Sequence, residues 1–487
     1  MSSTASVDPS GRTRLVVAAI AFASLLGTLM QSLIVPFVPQ LPALLGAPAS
    51  TTAWLVTATL LSGTVASVLF GRLGDQFGKR RMMLIALSGL LAGSLLAVFS
   101  TSIAVLIVAR ALQGLAMAMI PLGVSALRDV LRGDAMVRGI ALISAMASIG
   151  GTLGFAASAI AAEFIGLTGL FIASAVLAAL ALAGVALMVP SSEVRKGERV
   201  DIVGGVVLTV GLVGLLVAIT SGNGWGWASP ATLGLLIGSV LVLVGWGVHQ
   251  LRASAPLIDL RTTARRPVLF TNLASLVSGF AMYGIILALP QIIQLPAETG
   301  FTLGLSIVVA GLCVAPGGFL ALLVPSVAAR ITERRGPKLT MVIGAAAIAA
   351  GYVVILFAHT QIWTVIISSA LISVGVSFCF GAAPALILQH VPRSESGQAV
   401  GINNLARSLG TAASSAVTAA VLSTVLIGSG FGVGELPSEG AFVTVFLIGI
   451  AAAAVIVVLI ALVPRRGGTP LDELGAAQPQ RPAGGAR

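Results

Sequence analysis

Two arginines lie where a charge is costly. Arg110, in Arg110-Ala111-Leu112-Gln113-Gly114, and Arg407, in Asn403-Asn404-Leu405-Ala406-Arg407, each fall inside a long apolar run. Within a membrane-spanning helix such a charge costs about 2.5 kcal/mol or more, so it must find a partner, a cavity or the interface. Arg110 lies well away from the end of its run near Ala126, which favours a position facing a cavity over one that snorkels to the interface. Asn403, Asn404 and Arg407 can line such a cavity or knit their helix to a neighbour through interhelical hydrogen bonds. A third group is Gly71-Arg72-Leu73-Gly74-Asp75-Gln76-Phe77-Gly78-Lys79-Arg80-Arg81. Its glycines permit a tight turn. Asp75 can accept hydrogen bonds from a helix N-terminus or pair with an adjacent arginine. Cys313 and Cys379 both sit in apolar runs, which leaves no disulfide framework or thiolate metal site. His249, His359 and His390 lie far apart and show no metal-ligand spacing. No metal or cofactor is expected.

These residues must be positioned by apolar helices. Of 487 residues, 57% are hydrophobic and 9% charged. Soluble domains carry about 25% charged residues. The chain has too little polar surface to face water, so a soluble enzyme is excluded and an all-α integral membrane protein is expected. A spanning helix needs about 20 largely apolar residues. Such segments fall near 15–36, 53–71, 82–99, 103–124, 139–162, 166–189, 202–220, 231–250, 268–289, 302–325, 339–358, 362–386, 399–427 and 442–463, which is fourteen. Barrel strands would be about ten residues long and would alternate.

The loops test this count. Of the 27 lysines and arginines, all but Arg110 and Arg407 fall in the two tails and in every second loop; the intervening loops hold only Glu163, Glu298, Glu435 and Glu439 among charged residues. By the positive-inside rule both termini are cytoplasmic. The net charge of +11 is then explained by topology, with no nucleic acid as partner. Ala47-Pro48-Ala49 resembles a cleavage site, but the preceding apolar run is too long for a signal peptide and is read as a retained helix. The tail 464–487 is polar and rich in proline and glycine, which predicts disorder.

The 71–81 segment resembles the hallmark loop of the major facilitator superfamily, Gly-x-x-x-Asp-x-x-Gly-basic-basic between helices two and three. The resemblance implies a gating or conformational loop formed by Gly71, Asp75, Gly78, Lys79 and Arg80. An echo follows 258 residues later, where Glu333, Gly336 and Lys338 match Asp75, Gly78 and Arg80. Parallel six-helix repeats would produce such an echo. Arg110 and Gln113 are similar to the family's Arg-x-x-Gln-Gly motif in helix four, which makes them coupling candidates. Thr51 to Leu61 and Ser396 to Gly410 resemble the fourteen-span drug:proton antiporter branch. The resemblance spans residues 12–464 and implies a bacterial-type plasma (inner) membrane as the location, with two six-helix halves, 15–189 and 268–463. Two inserted helices with their linkers occupy 190–267, and the N-terminal tail is 1–14.

The chain departs from that branch in two places. Its first span reads Leu29-Met30-Gln31-Ser32, without the branch's usual aspartate, and Gly154-Phe155-Ala156-Ala157 replaces a proline-containing antiporter motif. All sixteen acids fall in loops, span edges or tails. Proton coupling normally needs a group that titrates within the membrane. Protons could therefore move through edge groups such as Asp129, Glu163 or Glu298 with Arg110, or the protein is an uncoupled facilitator. In this fold substrate binds near the midplane between the halves. Cavity candidates are Met30, Gln31, Asn272, Gln291, Asn403, Asn404 and Arg407, with apolar lining from Phe22, Met117, Met119, Phe280 and Met282. A cavity with few charges suits uncharged or amphipathic compounds. The expected function is export of lipophilic small molecules by a monomeric secondary transporter in the lipid bilayer. A membrane sensor or scaffold that kept the fold is the alternative.

Overall fold

A computed structural model of the chain describes residues 9–131, 133–191, 201–253, 264–391, 396–423, 426–427 and 436–464. The linker residues 192–200 and the tail from 465 onward lie outside these. Nearly everything described is helix, because uninterrupted apolar runs can satisfy their backbone in hydrocarbon only within their own segment. The helices are α1 (Pro9–Ser32), α2 (Trp54–Phe77), α3 (Lys79–Val98), α4 (Ile103–Gly114), α5 (Met119–Val130), α6 (Gly133–Met188) and α7 (Ile202–Trp225). They continue as α8 (Pro230–Arg252), α9 (Arg266–Gln294), α10 (Ile307–Arg335), α11 (Pro337–Ala358), α12 (Ile362–Leu388), α13 (Ser396–Leu422) and α14 (Glu439–Leu462). A 3-10 turn, Leu115–Ala118, joins α4 to α5 in one continuous rod. Among the described residues twelve helices are long and apolar enough to cross a membrane.

The longest, α6, has 56 residues. A straight helix of that length would extend about 84 Å. It is not straight. Gly166 adopts φ 64° and ψ -173°, and the rod folds back there. That conformation is essentially restricted to glycine. The packing of α6 on α1 follows the reversal: a Cβ at Gly150 would strike Leu25 O, one at Gly154 would meet Ser32, and one at Gly184 would lie against Ala19. The first limb thus climbs alongside α1 and the second returns.

Two apolar cores result. One is centred on α1 to α6, with Ile20, Leu26, Leu60, Met83, Leu87 and Leu122 fully buried. The other is built by α9 to α14 around Ile285, Ile292, Met341, Ile348, Ile372 and Phe446. Between them in sequence, α7 and α8 pair with each other. Their ends meet at Asp201, which caps α7 by accepting from Gly204 N–H at 2.7 Å and also accepts from Gln250 Nε2 at 2.6 Å. His249 Nε2 lies 3.0 Å away. Burial pushes the Asp201 carboxyl up, but these hydrogen bonds and His249 outweigh it and hold the group below the usual carboxylate range. Hydrogen bonds to the charged form favour that form.

Candidate functional site

The 71–81 segment is mostly helix. Gly71 and Asp75 lie within α2, which runs to Phe77, and α3 begins at Lys79. The turn is a single residue, Gly78, at φ 97° and ψ 128°. A glycine is needed at that angle, and it reverses the chain without a loop. Lys79 Nζ then bonds Asp129 at 2.8 Å and Ser125 O at 3.0 Å on α5. Arg80 donates to Ala186 O at the end of α6. The side chain of Asp75 lies outside the described residues. The echo repeats this design: Gly336, at φ 87° and ψ 156°, separates α10 from α11, and Lys338 donates to Val463 O just past the end of α14. In both bundles, then, a glycine turn is followed two residues later by a basic side chain that closes on the carbonyl end of the bundle's last helix.

Arg110 is fully buried, and its guanidinium is enclosed by the first bundle. Nε donates to Leu55 O at 2.9 Å, Nη1 to Gln113 Oε1 at 2.7 Å and Nη2 to Met30 O at 2.9 Å. Gln113 Nε2 passes the chain on to Ser94 Oγ at 2.9 Å. Thr59 Oγ1 donates to Arg110 O at 3.1 Å. Through Arg110 and Gln113 together four helices, α1 to α4, are joined, and none of the Arg110 partners is a carboxylate. Among the described residues no aspartate or glutamate is fully buried, and Asp201, the most enclosed, sits at the end of α7. Met30 is buried and contributes its carbonyl to Arg110.

The other candidates separate into two groups. Asn403 Nδ2 donates to Asn272 Oδ1 at 3.0 Å and to Ser275 Oγ at 2.8 Å, which joins α13 to α9 inside the second bundle. The backbones there touch closely, since a Cβ at Gly410 would strike Leu276 O. Gln291 is half-buried and donates to Leu287 O of its own helix at 3.3 Å. Asn404 is exposed. Arg407 is half-buried, and its guanidinium carbon lies 4.6 Å over the Phe380 ring of α12.

Among the described residues, the direct polar bridges between the two bundles occur at one end. Thr57 Oγ1 and Ser415 Oγ are 2.9 Å apart, and Tyr283 OH donates to Gln31 O at 3.3 Å. Gln294 Nε2 donates to Pro36 O at 2.8 Å, and its Oε1 accepts from Gln40 Nε2 at 3.0 Å. Every one of these residues lies toward the helix ends remote from Gly78 and Gly336. Gly311 of α10 also meets α6 there, at Ala156 and Ala159. Sequence reasoning missed Gln40, Gln294 and Ser415 as a seam. Their signal was available as polar residues placed late in α9 and α13 and just beyond α1.

The comparisons with known proteins match this architecture. A model of the Major Facilitator Superfamily matches residues 20–415 and 271–483. The chain belongs to the Major Facilitator Superfamily. Among superfamily relatives it is 27% identical over 77% of its length to the multidrug resistance protein Stp of Mycobacterium tuberculosis, covering 69% of that protein. It is 29% identical to the multidrug efflux pump LfrA of Mycolicibacterium smegmatis, over 74% of this chain and 71% of that one. Its fold is similar to the crystal structure of the nucleoside transporter NupG, with TM-score 0.61 at 14% identity, covering 92% of this chain and 100% of that one.

Proposed function

We propose that the protein exports lipophilic small molecules from the cytoplasm by alternating access, with the loading side open in the state described. The observation that carries this is the seam: among the described residues, the direct polar bridges between the bundles lie at the end away from the basic turns. If those basic turns face the cytoplasm, as the positive-inside rule requires, the seam closes the outer side. Rocking about the midplane would then break the seam and expose the site outward. The multidrug resistance and efflux proteins among its relatives support export as the direction.

The reading includes fourteen spans, both termini cytoplasmic and a single chain as the working unit. Support for the count is the reversal at Gly166, which makes two passes of α6, together with the 24 residues of α7. The division into halves 15–189 and 268–463 around an inserted 190–267 follows the two apolar cores. Gly78 and Gly336 serve as paired conformational joints, with Lys79 and Arg80 setting the angle at the first. Arg110 and Gln113 hold the first half rigid as it rocks, and Asn404 with Arg407 faces the substrate. A second reading, a transporter uncoupled from protons, is favoured by Arg110's lack of any acidic partner and by the exposure of Glu163 and Glu298.

The test is transport in inside-out proteoliposomes carrying the full chain, with a lipophilic dye panel and an imposed pH gradient. Accumulation of dye above protein-free vesicles is expected. Dependence on the gradient would establish proton coupling, and indifference to it would establish the uncoupled reading. No movement of any dye would leave the sensor or scaffold alternative standing in place of export.

A further inference from the structure

We infer that the substrate site of this protein selects amphipathic aromatic anions, a carboxylate or sulfonate on an apolar ring system, with Arg407 as the recognition residue. This rests on the export reading above and names its substrate class. The argument begins with the face of α13. Asn404, Ser408, Thr411 and Ser415 recur along this helix at three- and four-residue spacing. Such spacing puts them on one face, and Arg407 stands on its edge. Near the seam this face is closed against α2 through Ser415 and Thr57. Nearer the basic end the same face is open: Asn404 is exposed and Arg407 is half-buried. Both side chains therefore border the gap between the bundles, Arg407 eleven residues and about 16 Å along the helix from Ser396.

At that depth Arg407 has no counter-charge among the described residues. Its described interaction is the stack over Phe380 at 4.6 Å, and it makes no hydrogen bond or ion pair among the described residues. A guanidinium stacked through its face keeps its N–H donors in plane and free, the geometry that grips a carboxylate or sulfonate two-pronged. Asn404, three residues earlier on the open face, adds an amide donor. Arg110 does not compete for the ligand, because its three donor nitrogens are already committed inside the first bundle. No acid lies within a span anywhere in the sequence, so an anion in the gap meets attraction and a cation meets only repulsion. The apolar walls, with Phe380 beside the guanidinium, accept the aromatic body.

The experiment uses the purified full chain and three fluorescent probes of one shape: dansylglycine, its uncharged amide, and a dansyl quaternary ammonium. Binding is read by fluorescence titration, and transport of the same probes is read in the proteoliposomes above. Dansylglycine is expected to bind at least about tenfold more tightly than the quaternary ammonium, as a charge-assisted pair implies. Arg407→Gln should collapse that ratio toward one, Arg407→Lys should keep most of it, and Phe380→Leu should fall between. Equal or tighter binding of the quaternary ammonium by the unaltered protein overturns the proposal, whether or not any variant folds. So does a ratio unchanged in a folded Arg407→Gln protein. If the binding preference holds but vesicles move none of the probes, the anion site stands and the export reading fails instead.

Discussion

Arg110 and Arg407 are the same residue type, each within a membrane-spanning helix, yet the molecule treats them in opposite ways. In the first bundle the guanidinium is sealed, with two backbone carbonyls and Gln113 around it and four helices joined through it and Gln113 together. In the second the guanidinium lies on one aromatic ring at the edge of an open helix face. The bundles share a turn design, Gly78 with Arg80 and Gly336 with Lys338, so the contrast is not one of scaffold. It separates an arginine that holds the structure from one that is available to something else.

Stability measurements should break this comparison if it is wrong. Arg110→Ala removes charge-assisted hydrogen bonds to three acceptors and leaves Gln113 and Ser94 to rearrange, which costs on the order of 3 kcal/mol. Arg407→Ala loses a cation–π contact at a partly exposed site, worth about 0.5–1 kcal/mol. Thermal unfolding of the purified variants should therefore show a large drop in Tm for the first and a small one for the second. Equal drops would mean that Arg407 is as structural as Arg110.

Much of this arrangement was legible in the sequence, and the parts that were not share a cause. The all-helical membrane architecture follows from local composition, and the demand that Arg110 find polar company follows from the cost of charge in hydrocarbon. That cost alone points Arg110 toward a cavity, whereas the structure encloses it among backbone carbonyls and Gln113. The match of Gly336 to Gly78 was also legible, because a residue forced to positive φ leaves a glycine behind. What spacing could not supply was the partner across space. Asn272 and Asn403 are both polar residues in apolar helices, as is Asn404, and nothing local says that two bond each other while the third stays open. Likewise 71–81 read as a loop, since its charges suggested solvent, whereas a single glycine suffices to turn and the rest extends the helices into the interface. The break between 139–162 and 166–189 was legible, marked by Glu163; what spacing could not show is that the helix runs on through Glu163 and reverses at Gly166 alone.

The seam offers a sharper test of the open face. If Asn404 and Arg407 are accessible because the bundles are clamped at the other end, then weakening the clamp should cover them. Gln294→Leu removes two hydrogen bonds and Thr57→Val removes one, each worth about 1 kcal/mol, so a shift of roughly fivefold per bond toward the alternative state is expected. The readout is the rate at which a membrane-impermeant thiol reagent labels Asn404→Cys, in a background where Cys313 and Cys379 are replaced. Labelling should slow in the order Thr57→Val, then Gln294→Leu. Unchanged labelling would show that the face is open independently of the seam, and that access is not alternating about it.

The smallest effect is expected where charge meets water, at the end of α7 and α8. Asp201 is held below the usual carboxylate range, so it binds its proton less readily folded than unfolded, where the ordinary value is 3.8. Its contribution to stability is therefore fully present above about pH 4 and is lost as pH falls through the lowered folded value. His249 is half exposed. That exposure screens the pair and limits the contribution to less than about 1 kcal/mol. Asp201→Asn keeps a good N-cap for Gly204 but removes the charge facing His249 and Gln250. The Tm difference between the unaltered chain and Asp201→Asn should be small and positive near pH 6 and should vanish toward pH 3. A constant difference across that range would assign the clamp to hydrogen bonding alone. Either way the change should leave the probe preference at Arg407 untouched, because the described partners of Asp201 are Gly204, His249 and Gln250 of α7 and α8, not α13.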